Sequence, residues 1–369
     1  MDKSAARHPI IATLKQDYQS FDIYSFRTIN SLKTAIAALI GYMLIHLFHW
    51  TQGQWVVITI LVVMSAQSTL GSLLIKSHMR FWGTVVGATS SFFILLFLAG
   101  NFVAIGFILF FLIILFSYVA GGKSDLKDSG TLASVTMAII LLSKYATPMN
   151  AIYRFAEIST GILIALLVSR YIFPLRANQG LNKLISKNLQ SLATHFEKCL
   201  ILNLGKKNML KFSNIEQNII SNFEDQFKMI HNLETEPGKT RKLVTYYKRI
   251  LIKQRKLYRG INSMNYAANM LPQAKANQIS FDCVVELLKQ MNEQLKLSSE
   301  ALITKDLQLL SNMKRLTLDD LKKSTDTQPK VSDDNEIIAF KYFIFSAELF
   351  THELSRLIYL LKKIIKEST

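Results

Sequence analysis

Apolar residues in this chain gather into runs longer than a soluble helix buries. Trp55 to Ile75 is 21 residues without a charge, and about 20 apolar residues of α-helix cross the hydrocarbon of a bilayer. Lys76, His78 and Arg80 follow, and Phe81 to Gly122 is again uncharged. Two apolar runs flanking a short basic cluster predict a transmembrane hairpin with its turn on the cytoplasmic side. The same pattern predicts spans at about 31–50, 55–75, 80–99, 102–120, 130–147 and 152–174, with a tight turn at Gly100-Asn101. Before them, Ile10, Ile11, Leu14, Tyr18, Phe21, Ile23, Tyr24 and Phe26 alternate with polar residues. They predict a cytoplasmic amphipathic arm over 1–30 at the interface, or equally a solvated arm.

Past Pro174 the pattern changes. Charged and apolar residues alternate at helical spacing, with candidate helices at about 178–204, 211–234, 239–270, 277–302, 305–323 and 335–367 and a polar, disordered link over 323–336. No β-pattern competes. The expected fold class is all-α: a polytopic membrane protein with six transmembrane helices over 31–174, followed by a cytoplasmic helical bundle over 175–369.

Charge fixes the expected orientation and partners. The 369 residues carry 43 Lys+Arg against 26 Asp+Glu, a net charge of +17. Such a balance points to nucleic acid or an anionic membrane surface, and the spans select membrane lipid over nucleic acid. On the side holding both termini lie Lys3, Arg7, Lys15, Arg27, Lys33, Lys76, Arg80, Lys123, Lys127, Arg170 and Arg176, against Lys144 and Arg154 on the other. The bias predicts both termini cytoplasmic, in a multi-pass plasma membrane protein. No apolar leader run precedes residue 31, so insertion is expected to use the first span. Cys199 and Cys283 sit in no metal or redox spacing and read as reduced thiols.

No catalytic constellation stands out, and neither a cofactor nor a metal is expected. Gly121-Gly122-Lys123-Ser124 imitates the end of a phosphate-binding loop, but Ser117 replaces the required glycine and a membrane helix precedes it. His352-Glu353 lacks the second histidine of a zinc-protease helix. His46 and His49 read as interfacial residues. The charges near or within the spans are more informative, because a charge in lipid faces a partner or a cavity. Arg154 and Glu157 share a helix face, either as an internal ion pair or as an anion attractor beside a titrating carboxyl. Lys144 either adds to an anion path or snorkels to the surface. Gly83, Thr84 and Gly87 form a small-residue stripe for helix packing, which can also shape a narrow polar path beside Lys76 and Arg80.

These residues carry a resemblance. Trp55, Thr59, Gly71, Lys76, Arg80, Gly83, Thr84 and Gly87, with Arg154, Glu157, Gly161 and Pro174 in the sixth span, resemble the fusaric acid resistance and aromatic acid exporter superfamily and the plant aluminium-activated malate transporters. The motifs cover about 55–90 and 150–175. The resemblance implies six spans, a helical cytoplasmic domain, and efflux or conduction of small organic anions such as aromatic carboxylates. It also implies assembly of more than one membrane unit. The chain shows one six-span unit and no internal repeat, so a homodimer is expected, with Lys76, Arg80, Arg154, Glu157 and Lys144 along the anion path and Gly71, Gly83, Thr84, Gly87 and Gly161 packing helices. A membrane-anchored interaction protein, its basic helical domain bound to lipid or a partner, is the alternative.

Overall fold

The computed structural model of the protein describes residues 26–50, 52–65, 69–98, 100–122, 127–143, 146–172, 177–201, 213–236, 241–270, 280–313 and 334–368. The arm before residue 26, Lys144 and most of the 323–336 link lie outside these residues. Among those described there is no strand, and the chain divides into two units at Arg176 and Ala177.

Among the described residues, the first unit has six helices: α1 Phe26–Leu47, α2 Gln54–Met64, α3 Leu70–Leu98, α4 Phe102–Ala120, α5 Lys127–Leu141 and α6 Pro148–Tyr171. Four, α1, α3, α4 and α6, are long and apolar enough to cross a membrane. The other two are short. With 11 residues, α2 spans only about 16 Å, roughly half of a ~30 Å hydrocarbon layer.

This corrects the expected second and third spans. The run 55–75 is not one helix: α2 stops at Met64, and α3 starts at Leu70 and carries Lys76, His78 and Arg80 within it. The turn of the hairpin therefore precedes the basic cluster. The cause is local side-chain chemistry that average hydropathy overlooks. Thr69 Oγ1 accepts from the Ser72 amide at 3.3 Å, and Ser72 Oγ accepts from the Thr69 amide at 3.4 Å, a reciprocal cap that starts α3. Asn30 Nδ2 donates to the Met64 carbonyl at 3.1 Å and takes up a free acceptor at the end of α2. Likewise α5 ends at Leu141, short of the expected 147.

Glycines set how closely these helices pack. A Cβ on Gly83 would lie 2.7 Å from the Ser129 carbonyl oxygen, and one on Gly87 would lie 2.6 Å from that of Ala133, so α3 and α5 touch backbone to backbone. Gly161 brings α6 equally close to α2, its Cβ position 2.7 Å from the Val56 carbonyl oxygen. Between α3 and α4, Gly100 has φ +91°, a left-handed turn conformation that suits glycine. Asn101 then caps α4 by accepting from the Ala104 amide at 3.1 Å. The outward face of α4 exposes Phe102, Phe107, Phe110, Phe111 and Ile114, a surface suited to lipid tails.

The second unit packs α7 Ala177–Phe196, α8 Ser213–Thr235, α9 Arg241–Met270, α10 Ser280–Thr304, the short α11 Leu307–Ser311 and α12 Asp334–Ser368 around one apolar core. Of the expected helix over 305–323, only Leu307–Ser311 falls in a described helix. Burial pushes the Cys199 thiol up to about 12, so it stays protonated at neutral pH. At the edge of the core, burial alone would raise the Glu353 carboxyl. Bonds from Lys253 Nζ at 2.5 Å and Lys256 Nζ at 3.1 Å outweigh that and hold it below the ordinary carboxylate range.

Two stability measurements follow. Gly87→Val should destabilise the detergent-purified protein by about 1–3 kcal/mol through overpacking, seen as a lower melting temperature. Gly106→Val, where nothing lies within 4 Å of an added Cβ, should change it little. Because the Glu353 carboxyl is depressed in the folded state, its contribution is complete above the unfolded value of about 4.3 and is lost as pH falls through the folded value. Glu353→Gln should therefore cost about 1–2 kcal/mol at neutral pH, discounted because Lys256 is half exposed, and should make melting temperature less dependent on acid pH.

Candidate functional site

Among the described residues of the first unit, four ionisable side chains are buried: Lys33 is 1% exposed, Arg80 7%, Arg154 6% and Glu157 5%. They come from three long helices, α1, α3 and α6, and each basic group is aimed at a neighbouring helix or turn. Arg154 donates from Nη1 to Glu157 Oε2 at 3.2 Å and from Nη2 to Gln52 Oε1 at 3.2 Å. Its guanidinium also lies 4.2 Å from the centre of the Trp55 ring, a cation–π contact. Arg80 donates from Nη2 to Thr59 Oγ1 at 3.3 Å. Lys33 Nζ donates to the Ser169 carbonyl oxygen at 3.3 Å and its hydroxyl at 3.2 Å.

These contacts mark successive levels along α6. Arg154 begins the series, Gly161 faces Thr59 beneath the Arg80 contact, and Ser169 ends it. Fifteen residues of helix correspond to about 22 Å, most of the thickness of a hydrocarbon core. The three cationic groups are not electrostatically equal. Arg154 has a carboxylate; Arg80 and Lys33 have only neutral partners among the described residues. The Nε atoms of Arg80 and Arg154 and the Ser77 hydroxyl are buried with no hydrogen-bond partner among those residues. A buried guanidinium with unused donors is a strong acceptor site for an anion.

The fusaric acid resistance protein family matches this sequence over residues 27–340. The chain belongs to that family. It is also 27% identical over 155 residues to the inner membrane protein YeeA of Escherichia coli (strain K12), a match covering 41% of this chain and 42% of the relative. The match thus spans less than half of that relative. Family, relative and apolar helices together make this a multi-pass membrane protein.

Against this family background, the residues singled out from sequence divide clearly. Arg80, Arg154, Glu157, Gly83, Thr84, Gly87 and Gly161 are all buried in the first unit, and the Thr84 hydroxyl donates to the Arg80 carbonyl at 2.8 Å. Lys76 is half-buried one turn before Arg80. Gly71 is buried in the first turn of α3. His78 points outward and accepts from Trp82 Nε1 at 3.0 Å. Lys33, Gln52, Trp55, Thr59 and Ser169 complete the arrangement. Trp55 and Thr59 were in the family motif without a role, while Lys33 read only as a cytoplasmic charge. The signal for Lys33 was present: Ala37 and Gly41 follow at four-residue spacing, the small-residue face that α1 turns inward.

The Arg154–Glu157 pair makes a stability prediction. Glu157→Leu strands a buried guanidinium and should cost about 3 kcal/mol or more, whereas the double variant Arg154→Met, Glu157→Leu should recover much of the loss. Melting temperatures of the wild type and the two variants in one detergent decide it. Recovery absent in the double variant would assign the pair a role other than mutual compensation.

Proposed function

We propose that this family member exports small organic anions, with aromatic carboxylates the best fit, across a bacterial inner membrane. It would work as a homodimer with both termini in the cytoplasm. The observation that carries this reading is Arg80: a buried guanidinium in an apolar helix bundle, with one neutral hydroxyl partner and a free Nε. A side chain so placed is costly unless something negative meets it. Trp55 stacked on Arg154 adds an aromatic face beside a second cation, suited to a solute with both a ring and a carboxylate. Half-buried Lys76 provides entry charge near Arg80, and Glu157 is the carboxyl available to couple protons. Lys144 belongs to this path as a proposed outer charge. The positive bias of the loops supports the orientation.

One observation favours a second reading. Helix α9 carries Arg241, Lys242, Lys248, Arg249, Lys253, Arg255, Lys256 and Arg259 and no acidic residue. Such a helix suits an anionic lipid surface and a membrane-anchored interaction role.

Proteoliposome flux of labelled benzoate separates the two. Arg80→Ala and Lys76→Ala should each lower flux by at least about tenfold, the equivalent of one charge-assisted hydrogen bond. Arg249→Ala, on the exposed face of α9, should leave it unchanged. Flux indifferent to Arg80 and Lys76 would overturn the transport reading.

A further inference from the structure

The six described helices of the first unit fall into two sets of three, and the second set repeats the first. Each has a long helix, a short one and a long one: α1, α2, α3 and then α4, α5, α6. The buried positions coincide. On α2 they are Val56, Thr59, Ile60, Val63 and Met64; on α5, at one constant offset, they are Ala133, Thr136, Met137, Ile140 and Leu141. Both helices end on the last of these residues. On α3 and α6 a second constant offset pairs Ser77 with Ala151, Arg80 with Arg154, Gly83 with Glu157, Gly87 with Gly161 and Ser91 with Ala165, every one buried.

Sequence identity is sparse but falls at the same places. Gly53 and Thr59 correspond to Gly130 and Thr136, and Arg80, Phe81 and Gly87 to Arg154, Phe155 and Gly161. Packing gives a second, independent correspondence. A Cβ on Gly161 would meet the Val56 carbonyl oxygen at 2.7 Å and Thr59 Cβ at 2.8 Å; one on Gly87 would meet the Ala133 carbonyl oxygen at 2.6 Å and Thr136 Cβ at 3.0 Å. Each long helix thus packs on the short helix of the other set through equivalent atoms. Phe81 and Phe155, equivalent to each other, meet with ring centroids 5.8 Å apart. A residue that touches its own counterpart lies on a two-fold axis.

The axis reverses direction across the membrane. The start of α3 (Leu73) packs with the end of α6 (Val168), and the end of α3 (Leu95) with the start of α6 (Ala151), so the two run antiparallel. The sets are inverted-topology repeats, the architecture in which a pair of short segments in corresponding positions marks the solute site. What repeats is burial and contact geometry, with few identical residues.

The symmetry breaks at the charges. Arg80 bonds Thr59 in its own repeat; Arg154 bonds Gln52 and Glu157, and its counterpart partner, Thr136, has no such contact. We propose that the two repeats exchange these conformations during transport, so that Arg154 takes Thr136 when Arg80 releases Thr59, and that Thr136 is a solute-positioning residue of the opposite-facing state. This rests on the transport reading above and adds to it a residue, Thr136, and a motion.

The test uses full-length protein with Cys199→Ser and Cys283→Ser, carrying Thr59→Cys or Thr136→Cys. Right-side-out and inside-out vesicles receive a membrane-impermeant maleimide with and without benzoate. The two positions should react from opposite faces, and benzoate should raise one rate and lower the other by about threefold or more, as a population shift requires. Labelling from one face, or rates that move together or not at all, overturns the exchange; if benzoate flux persists, transport stands without it. Opposed labelling in a protein with no benzoate flux keeps the exchange and refutes the export of aromatic carboxylates. Flux gives a second measurement should a cysteine variant fold poorly. Thr136→Ser should retain it, and Thr136→Val should lose about fivefold to tenfold, the value of one hydrogen bond, at unchanged melting temperature. Full flux in Thr136→Val overturns the proposal.

Discussion

Everything in the membrane unit depends on backbone contact at glycine between a long helix and a short one. In lipid there is no hydrophobic effect to press helices together, so close approach and interhelical polar contacts carry the association. Gly161 on Val56, and Gly83 and Gly87 on Ser129 and Ala133, supply that approach twice. Arg80 reaches the Thr59 hydroxyl, and Arg154 reaches Gln52 and Trp55, because the Gly161 seam holds α2 against α6 at the level of both guanidiniums. A methyl group at Gly161 would have to displace backbone, and the polar contacts one turn away would move with it.

The same seams explain why α2 need not cross the bilayer. A helix that ends in the hydrocarbon exposes carbonyl groups that lipid cannot satisfy, so it can end only where protein satisfies them. Asn30 does so for Met64, and the Thr69–Ser72 cap starts α3 immediately beyond. The end of one helix and the start of the next are thus each satisfied by protein groups.

How much of this could be read from sequence depends on what each signal measures. Apolar runs located the four helices long enough to cross a membrane and the change of character after Pro174, because lipid selects composition over whole segments. They misplaced the break between α2 and α3, since Ser65 to Thr69 is short and weakly polar, and the basic cluster at Lys76–Arg80 looked like the natural turn. The pair Thr69 and Ser72 has capping spacing, a local signal that the hydropathy of the whole run does not carry. Arg154 and Glu157 were legible as a pair from their spacing alone. Lys33 was not, because a lysine near a span edge ordinarily faces headgroups; only its burial against Ser169 sets it apart. In the second unit, helical spacing located the bundle. It could not show that Asn188, Gln226 and Gln254 bond one another inside the core, at 2.7 Å between Asn188 and Gln254, because such polar residues read as surface until their partners are known. Buried amides of this kind favour one register of helices over others.

The least legible feature is also the one with the most mechanical content. Two repeats related by a two-fold axis have equal energies if their sequences are equal, and a conformational bias then needs a ligand. Here the sequences differ where Glu157 stands opposite Gly83. On the α6 side a carboxylate occupies the guanidinium; on the α3 side the glycine leaves backbone contact and Arg80 has a hydroxyl alone. One arginine is thus internally neutralised and its counterpart is not. An anion arriving at Arg80 would make the two halves electrostatically alike, which removes the very difference that separates their conformations. Charge neutralisation at Arg80 and the shift between the two packing arrangements would then be a single event, and a proton on Glu157 would also make the halves alike, by leaving both arginines without a carboxylate. The placement of one carboxylate in an otherwise symmetric bundle is thus enough for a solute on one arginine and a proton beside the other to act on the same difference between the halves.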